Sequence, residues 1–411
     1  MNYKIGIYGI SGVGKTTLIK AISKKIYNSQ FFEGSKIIEN LINLEDFKKL
    51  PSHKKYKYRE KVIEFISNRL EKRYIFVDGH YSFIKGNRFE KVITKKDINF
   101  YNHIFYIDIK SSLIKRRQLK DKTKKRNFSI TDIHKWKKFE KFELRKICKK
   151  HNIKFHIINH HNIDKNIEII YEIINEINFF NEMEEFVKNN TNKKYIVFDA
   201  DKTLISKDSG KDYIFPLLKL EIEDVIKCFE DGYCFSSFLK LSNLYSKIDK
   251  NRFLKVQKDL SLQIEIEDKF LNLIKKYNKN YTICIVTAGF KYLWQEILKK
   301  YNIYNVKVIG GNNFLVDNYI IDNRLKGGFV DYLKRNNKYV ISFGDSEIDK
   351  EMLIKSDKGF LVLRDKKRKS LIEVLKKYKH IRYLSLNGLK IQEMKKVDFE
   401  MINKELENEV I

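Results

Sequence analysis

No apolar run in this 411-residue chain approaches the roughly 20 residues a helix needs to cross a bilayer, so no membrane span is expected. Cysteine is scarce. Cys148, Cys228, Cys234 and Cys284 form no CxxC pair, and free thiols in a reducing, cytoplasmic setting are the expectation. Alanine occurs only at Ala21, Ala200 and Ala288, while Lys, Asn and Ile crowd the chain. An AT-rich coding sequence produces that bias, so part of the net charge of +30 carries no functional message. The first apolar segment and its glycine turn begin almost at Met1, and no signal peptide is expected.

What is present is a globular composition, 43% hydrophobic, in a chain long enough for two cores. The basic charge is uneven. Residues 110–150 hold 17 Lys and Arg against 4 Asp and Glu, and "RDKKRK" (364–369) is a second basic run. Charge concentrated on this scale favours phosphate-bearing ligands.

Short β-rich runs alternate with helical patterns. "YKIGIY" (3–8), "YIFVD" (74–78), "HIFYIDI" (103–109) and "KFHIIN" (154–159) read as strands, with helices over 56–72 and 131–150. A long helix over about 165–188 leads to the polar stretch "KNNTNKK", and a second series of strands follows at 195–199, 281–287 and 339–345. Alternation of this kind predicts an α/β fold with parallel sheets. The expected domains are 1–188 and 194–385, the second carrying a helical insert over about 206–275, with a charged, helical tail over 386–411.

Two constellations carry chemistry. Gly9-Ile10-Ser11-Gly12-Val13-Gly14-Lys15-Thr16 fits GxxxxGK[ST] between a strand and a helix. Its glycines let backbone N–H groups converge on phosphate, Lys15 reaches the β and γ phosphates, and Thr16 ligates Mg²⁺ beside Thr17. Asp78 and His80 follow the strand 74–78, where open parallel sheets place ligand-handling groups. Arg116, Arg117 and Arg126 lie on a basic segment suited to a flap over phosphates. Together these features resemble the adenylate-kinase-like branch of the P-loop kinases over about residues 1–180. The resemblance implies ATP as cofactor, Asp78 orienting Mg²⁺ or water, and the three arginines as lid contacts. The Asp-x-x-Arg pair usual in polynucleotide kinases is missing.

The second constellation begins at "DADKTL". Asp199 and Asp201 have the DxDxT form, and Thr287, Lys326, Asp345 and Asp349 follow in order at or near strand ends. A carboxylate can attack phosphorus, a second can act as general acid and then base, and hydroxyl and ammonium groups can hold the phosphoryl oxygens. This ordered set resembles the haloacid dehalogenase superfamily over about 194–385, its phosphoserine-phosphatase-like group especially, with a Rossmann-like domain and small helical cap. The resemblance makes Asp199 the nucleophile, Asp201 the acid–base and Thr287 and Lys326 the phosphoryl holders. Mg²⁺ would lie on Asp199, Asp345 and the Asp201 carbonyl, with Asp349 supporting that shell. Asp208 falls where that group contacts its substrate, but the insert has one arginine, Arg252, and phosphoserine itself is not specifically expected.

His151, His156, His160 and His161 are close in sequence, with spacing that suits a strand and turn better than a metal site. The expectation is a bifunctional enzyme: an ATP-dependent kinase fused to a Mg²⁺-dependent phosphomonoesterase, acting on small phosphorylated metabolites. Its rivals are a nucleic-acid end-healing 5′-kinase/3′-phosphatase and a phosphatase gated by a nucleotide-sensing module.

Overall fold

A computed structural model describes the chain apart from residues 1, 27, 87, 122–127, 312, 314–318, 365–367 and 410–411, and only the backbone of 23–25. The chain divides into two compact units, residues 1–171 and 172–411, the division falling inside the helix Ile163–Lys188.

The first unit is a five-stranded parallel sheet. Its strands are β1 (Tyr3–Tyr8), β2 (Ser29–Glu33), β3 (Tyr74–Asp78), β6 (His103–Ile107) and β7 (Lys154–Ile158), in the order β2-β3-β1-β6-β7. Central β1 is almost wholly buried because helices cover both faces of such a sheet, which is why it reads as an unbroken apolar run. A small hairpin, β4 (Ser82–Lys85) with β5 (Arg88–Lys91), follows β3. Helix Ile130–Lys150 starts at a capping box. The Asp132 N–H donates to the Ser129 hydroxyl at 3.0 Å, and the Ser129 N–H donates to the Asp132 carboxylate at 3.1 Å. Part of the basic stretch is committed internally. Lys137 pairs with Asp108 at 2.7 Å, and Lys141 pairs with the same carboxylate.

The second unit holds seven strands, all paired in parallel: β8 (Lys194–Phe198), β9 (Thr282–Thr287), β10 (Lys307–Gly310), β11 (Tyr339–Gly344), β12 (Lys358–Leu363), β13 (Ile381–Ser385) and β14 (Lys396–Val397), in the order β10-β9-β8-β11-β12-β13-β14. Phe198, Phe343 and Phe360 on neighbouring strands stack at successive centroid spacings of 4.8 Å. Helices Phe215–Leu218, Ile222–Cys228, Phe235–Tyr245 and Lys250–Ser261 occupy the insert after β8. The charged C-terminal stretch is part of this unit. β14 extends the sheet, and helix Phe399–Asn408 buries Ile402 and Leu406 in the core. Among the described residues no helix is long and apolar enough to cross a membrane.

Candidate active sites

Strand register builds the site of the second unit. Phe198 lies opposite Phe343, and the Asp199 N–H donates to the Phe343 carbonyl at 2.8 Å. Asp199 and Asp345 therefore leave the same edge of the sheet. Gly344 sits hard against Asp349. A Cβ there would come within 2.5 Å of the Asp349 Cβ, so any side chain would push that carboxylate out of place. One carboxylate oxygen each from Asp199, Asp345 and Asp349 lies within 4.8 Å of the others, and all three residues are buried. Lys326, 1% exposed on the helix Asn323–Arg335, joins two of them, donating to Asp199 Oδ1 at 2.5 Å and Asp349 Oδ1 at 2.6 Å.

The other Asp349 oxygen accepts from the backbone N–H groups of Asp345 and Ser346, at 3.1 and 3.0 Å, and from the Ser346 hydroxyl at 2.8 Å. Asp349 is thus fully engaged, its charge balanced by Lys326 and two peptide dipoles. The other oxygen of Asp199 accepts from the Thr203 hydroxyl at 3.0 Å. Asp201 Oδ2 accepts from the Ser209 hydroxyl at 2.8 Å, while Asp201 Oδ1 is buried without a partner among the described residues. Thr287 ends β9 and accepts from the Gly289 N–H at 2.8 Å; Gly289 also lies against Asp201 Oδ2.

The electrostatics follow from this crowding. Burial, then the neighbouring Asp349, pushes the Asp199 carboxyl up to about 6. Burial, then Asp199 and Asp349, takes Asp345 up to about 8. Burial, then Asp208, raises Asp201 well above the usual carboxylate range. Burial opposes the Lys326 ammonium, but Asp199 and Asp349 outweigh it and hold its pKa above the ordinary lysine value. The cluster has more buried negative charge than its cations neutralise. That surplus, on three convergent hard oxygens, fits a divalent cation.

Several neighbours are not singled out by the sequence reading. Arg364 donates to the backbone carbonyls of Lys202 at 2.6 Å and Thr203 at 2.9 Å, clamping the loop after Asp199. Arg368 pairs with Asp345. Thr203 is within reach of the DxDxT pattern; Arg364 and Arg368 carry no motif. Asp208 is engaged near its own turn, accepting from the Lys211 N–H at 2.9 Å and lying 3.7 Å from Lys202 Nζ, and Arg252 is exposed.

The site of the first unit is built on backbone. Gly14, at φ 99°, leads into helix Lys15–Lys25 in a left-handed conformation that other residues rarely adopt. Lys15 Nζ donates to the Gly9 carbonyl at 2.7 Å and lies 3.5 Å from His80 Nδ1. Arg117, on helix Ser111–Lys120, donates to the Val13 carbonyl at 2.6 Å, and its neighbour Gln118 donates to the Ser11 carbonyl at 2.7 Å. Arg116, by contrast, is exposed, and Arg126 lies outside the described residues. Thr16, Asp78 and His80 line a cavity of about 910 Å³ over Gly12 and Lys15. A smaller cavity of about 220 Å³ shares Gly14, Thr17 and Arg117 with it and adds Ile107, His160 and His161. The two histidine rings stack at 4.9 Å, and Asn166 fixes their turn by donating to the His160 carbonyl at 2.7 Å. His156 faces His103 at 3.1 Å instead. Among the described residues the three aspartates are the only group of three or more His, Cys, Asp or Glu arranged to share a metal.

Beneath the larger cavity lies Glu140, which accepts from the Ser82 N–H and hydroxyl, both at 2.9 Å, and from the Tyr106 hydroxyl at 3.2 Å. Burial lifts its carboxyl to about 7.

Comparison with known proteins agrees with both halves. The AAA domain family matches residues 8–136, and the haloacid dehalogenase-like hydrolase family matches residues 196–353. Solved structures similar to parts of the chain include shikimate kinase from Bacteroides thetaiotaomicron, at 16% identity over 42% of this chain and 97% of that one (TM-score 0.31). A phosphoserine phosphohydrolase-like protein from Francisella tularensis matches at 21% identity over 44% of this chain and 92% of that one (TM-score 0.29). An apo phosphoserine phosphatase matches at 19% identity over 45% and 98% (TM-score 0.33). No curated protein matches the sequence. The chain is an enzyme that joins an N-terminal P-loop kinase-like domain to a C-terminal haloacid dehalogenase-like hydrolase domain.

Proposed function

We propose that the chain is a bifunctional enzyme, an ATP-dependent phosphotransferase fused to a phosphomonoesterase that works through an aspartyl-phosphate on small metabolites. The observation that carries the second half is the buried meeting of Asp199, Lys326, Asp345 and Asp349 within hydrogen-bond or shared-ligand reach. Asp199, Asp345 and the Asp201 carbonyl would hold Mg²⁺, supported by Asp349; the ion would neutralise charge on the phosphoryl oxygens.

Asp199 is oriented by Lys326 on one oxygen and Thr203 on the other. Its carboxylate attacks phosphorus, a P–O bond to Asp199 forms, and the bond to the leaving alcohol breaks. Asp201, protonated because it is buried beside Asp208, gives its proton to that alcohol. Asp201 then takes a proton from water as the water oxygen attacks the aspartyl-phosphate, releasing phosphate and restoring Asp199. The Thr287 hydroxyl, next to Gly289 and Asp201, is placed to steady a phosphoryl oxygen.

In the kinase half, ATP phosphates would lie on the loop Gly9–Thr16 with Lys15 and Arg117 across them, Thr16 on Mg²⁺ and Asp78 facing the acceptor. Val13, Ile107 and the stacked His160 and His161 supply an apolar slot suited to the adenine base. The test is paired. Labelled ATP with a metabolite panel reads the first half, and a phosphomonoester panel with Mg²⁺ reads the second, with Lys15→Ala and Asp199→Asn as controls. Phosphate release that survives Asp199→Asn would refute the covalent route.

A further inference from the structure

The 910 Å³ cavity of the first unit extends past the P-loop between walls formed by Ile38, Phe47, Val62, Ile63, Val92 and Tyr101. No Asn or Gln is among its lining residues, so the side chains that usually read the edge of a nucleobase are missing. Set in these walls is one guanidinium, that of Arg59 on helix Ser52–Ser67.

Arg59 is half-buried and lies 5.8 Å from the centroid of the Phe47 ring. Among the described residues it makes no ion pair or hydrogen bond. The two nearest carboxylates are occupied elsewhere. Glu90 accepts from the Ser52 hydroxyl at 2.7 Å and lies 3.9 Å from Lys85 Nζ. Asp97 accepts from the Thr94 N–H and hydroxyl at 2.8 and 2.6 Å. Burial lowers the Arg59 pKa, and the fields of Glu90 and Asp97 only partly oppose this. A desolvated guanidinium with five donors and no acceptor costs free energy, and an anion in the cavity would offset that cost.

We infer that the acceptor of the kinase half is a small hydroxy acid with a flat apolar body, its carboxylate or phosphate held by Arg59 and its hydroxyl turned toward Asp78 and Lys15. This deepens the kinase reading, on which it rests for the transfer step but not for binding. The reaction would move the γ-phosphoryl of ATP to that hydroxyl. The oxygen–phosphorus bond to ADP breaks, the bond to the acceptor oxygen forms, and the hydroxyl proton passes to Asp78.

The test uses the full chain saturated with the non-hydrolysable analogue adenylyl-imidodiphosphate, with 3-hydroxybenzoate as probe and 3-hydroxybenzamide as its uncharged counterpart. Saturation-transfer NMR reads binding. The acid is expected to bind at least tenfold more tightly than the amide. Arg59→Ala should abolish that preference and Arg59→Lys restore part of it, with the unfolding midpoint of each variant confirming the fold. Equal binding of acid and amide, or an unchanged preference in Arg59→Ala, overturns the inference. If either variant unfolds, the parent protein's acid-over-amide ratio decides alone. Binding of the acid without transfer from ATP to any hydroxy acid leaves the Arg59 assignment standing and removes the kinase reading instead.

Discussion

The two candidate sites solve one problem, holding phosphate at the carboxyl edge of a parallel sheet, with opposite materials. The second unit uses side-chain charge: four ionisable groups, each no more than 6% exposed, close on one another. The first unit uses backbone, glycine and an open cavity, with Thr16 and Thr17 exposed at its floor. A site made of buried charges fails as a unit when one is removed. A site made of backbone donors loses catalysis on side-chain substitution and keeps its fold.

The largest expected break in that contrast is Asp199→Asn. Phosphomonoester hydrolysis should fall about 10⁴-fold in kcat, because the nucleophile is gone, while ATP-dependent transfer stays within a factor of about two. Lys15→Ala is the mirror experiment. Transfer from ATP should drop roughly 10²- to 10³-fold with hydrolysis unchanged. If either variant affects both activities equally, the two sites are not independent.

Next comes stability. Lys326→Met leaves Asp199 and Asp349 buried without their shared cation, and breaking such a pair costs about 3–5 kcal/mol. Urea unfolding followed at neutral pH should show that loss for Lys326→Met and almost none for Lys15→Met, whose Nζ donates to a backbone carbonyl and lies beside an imidazole. Equal losses would mean that both lysines are structural.

Glu140 sharpens the comparison from the other side, as the buried carboxylate of the first unit. Its folded-state value near 7 lies above the ordinary carboxyl value of 4.5, so the folded protein keeps a proton that the unfolded chain releases. Stability therefore falls as pH rises from about 4.5 to 7, by on the order of 3 kcal/mol in total. Glu140→Gln keeps an acceptor for both Ser82 bonds and cannot ionise. Its unfolding midpoint should be flatter than the parent's between pH 5 and 7.5 and higher above pH 7. An unchanged slope would place the titration elsewhere.

How much of the fold and of the two sites is legible in the amino-acid sequence follows from the same contrast. Asp199, Thr287 and Asp345 are legible because each ends a strongly apolar strand, and Gly9–Thr16 because its glycines are required at fixed spacing. The sheet strand Ser29–Glu33 escapes a reading by pattern: both its glutamine and its serine interrupt the apolar run, and every residue is only half-buried. Strands Lys358–Leu363, Ile381–Ser385 and Lys396–Val397 escape it too; the last is two residues long and gains its place only by pairing with its neighbour. Arg59, Arg364 and Arg368 are invisible for a different reason. An arginine acquires meaning from what it faces, and those partners can lie far along the chain: Arg364 holds carbonyls more than 160 residues away.

The smallest effect tests how completely the second site is charge-matched. Arg368 starts the helix Lys369–Leu375, and its guanidinium pairs with Asp345, one of the three carboxylates placed to share a cation. A divalent ion taking Asp345 must either displace that guanidinium or tolerate a second positive charge beside it. Both routes weaken metal binding. The arginine side chain is 27% exposed, so the pair is partly screened and its worth is about 0.5–1 kcal/mol. Arg368→Ala should therefore tighten Mg²⁺ binding by roughly 2- to 5-fold, read by calorimetric titration of the metal-free full chain, with substrate absent. Weaker binding in the variant would show instead that Arg368 orients Asp345 for the metal, and the surplus of negative charge among the buried aspartates would then be smaller than their raised proton affinities imply.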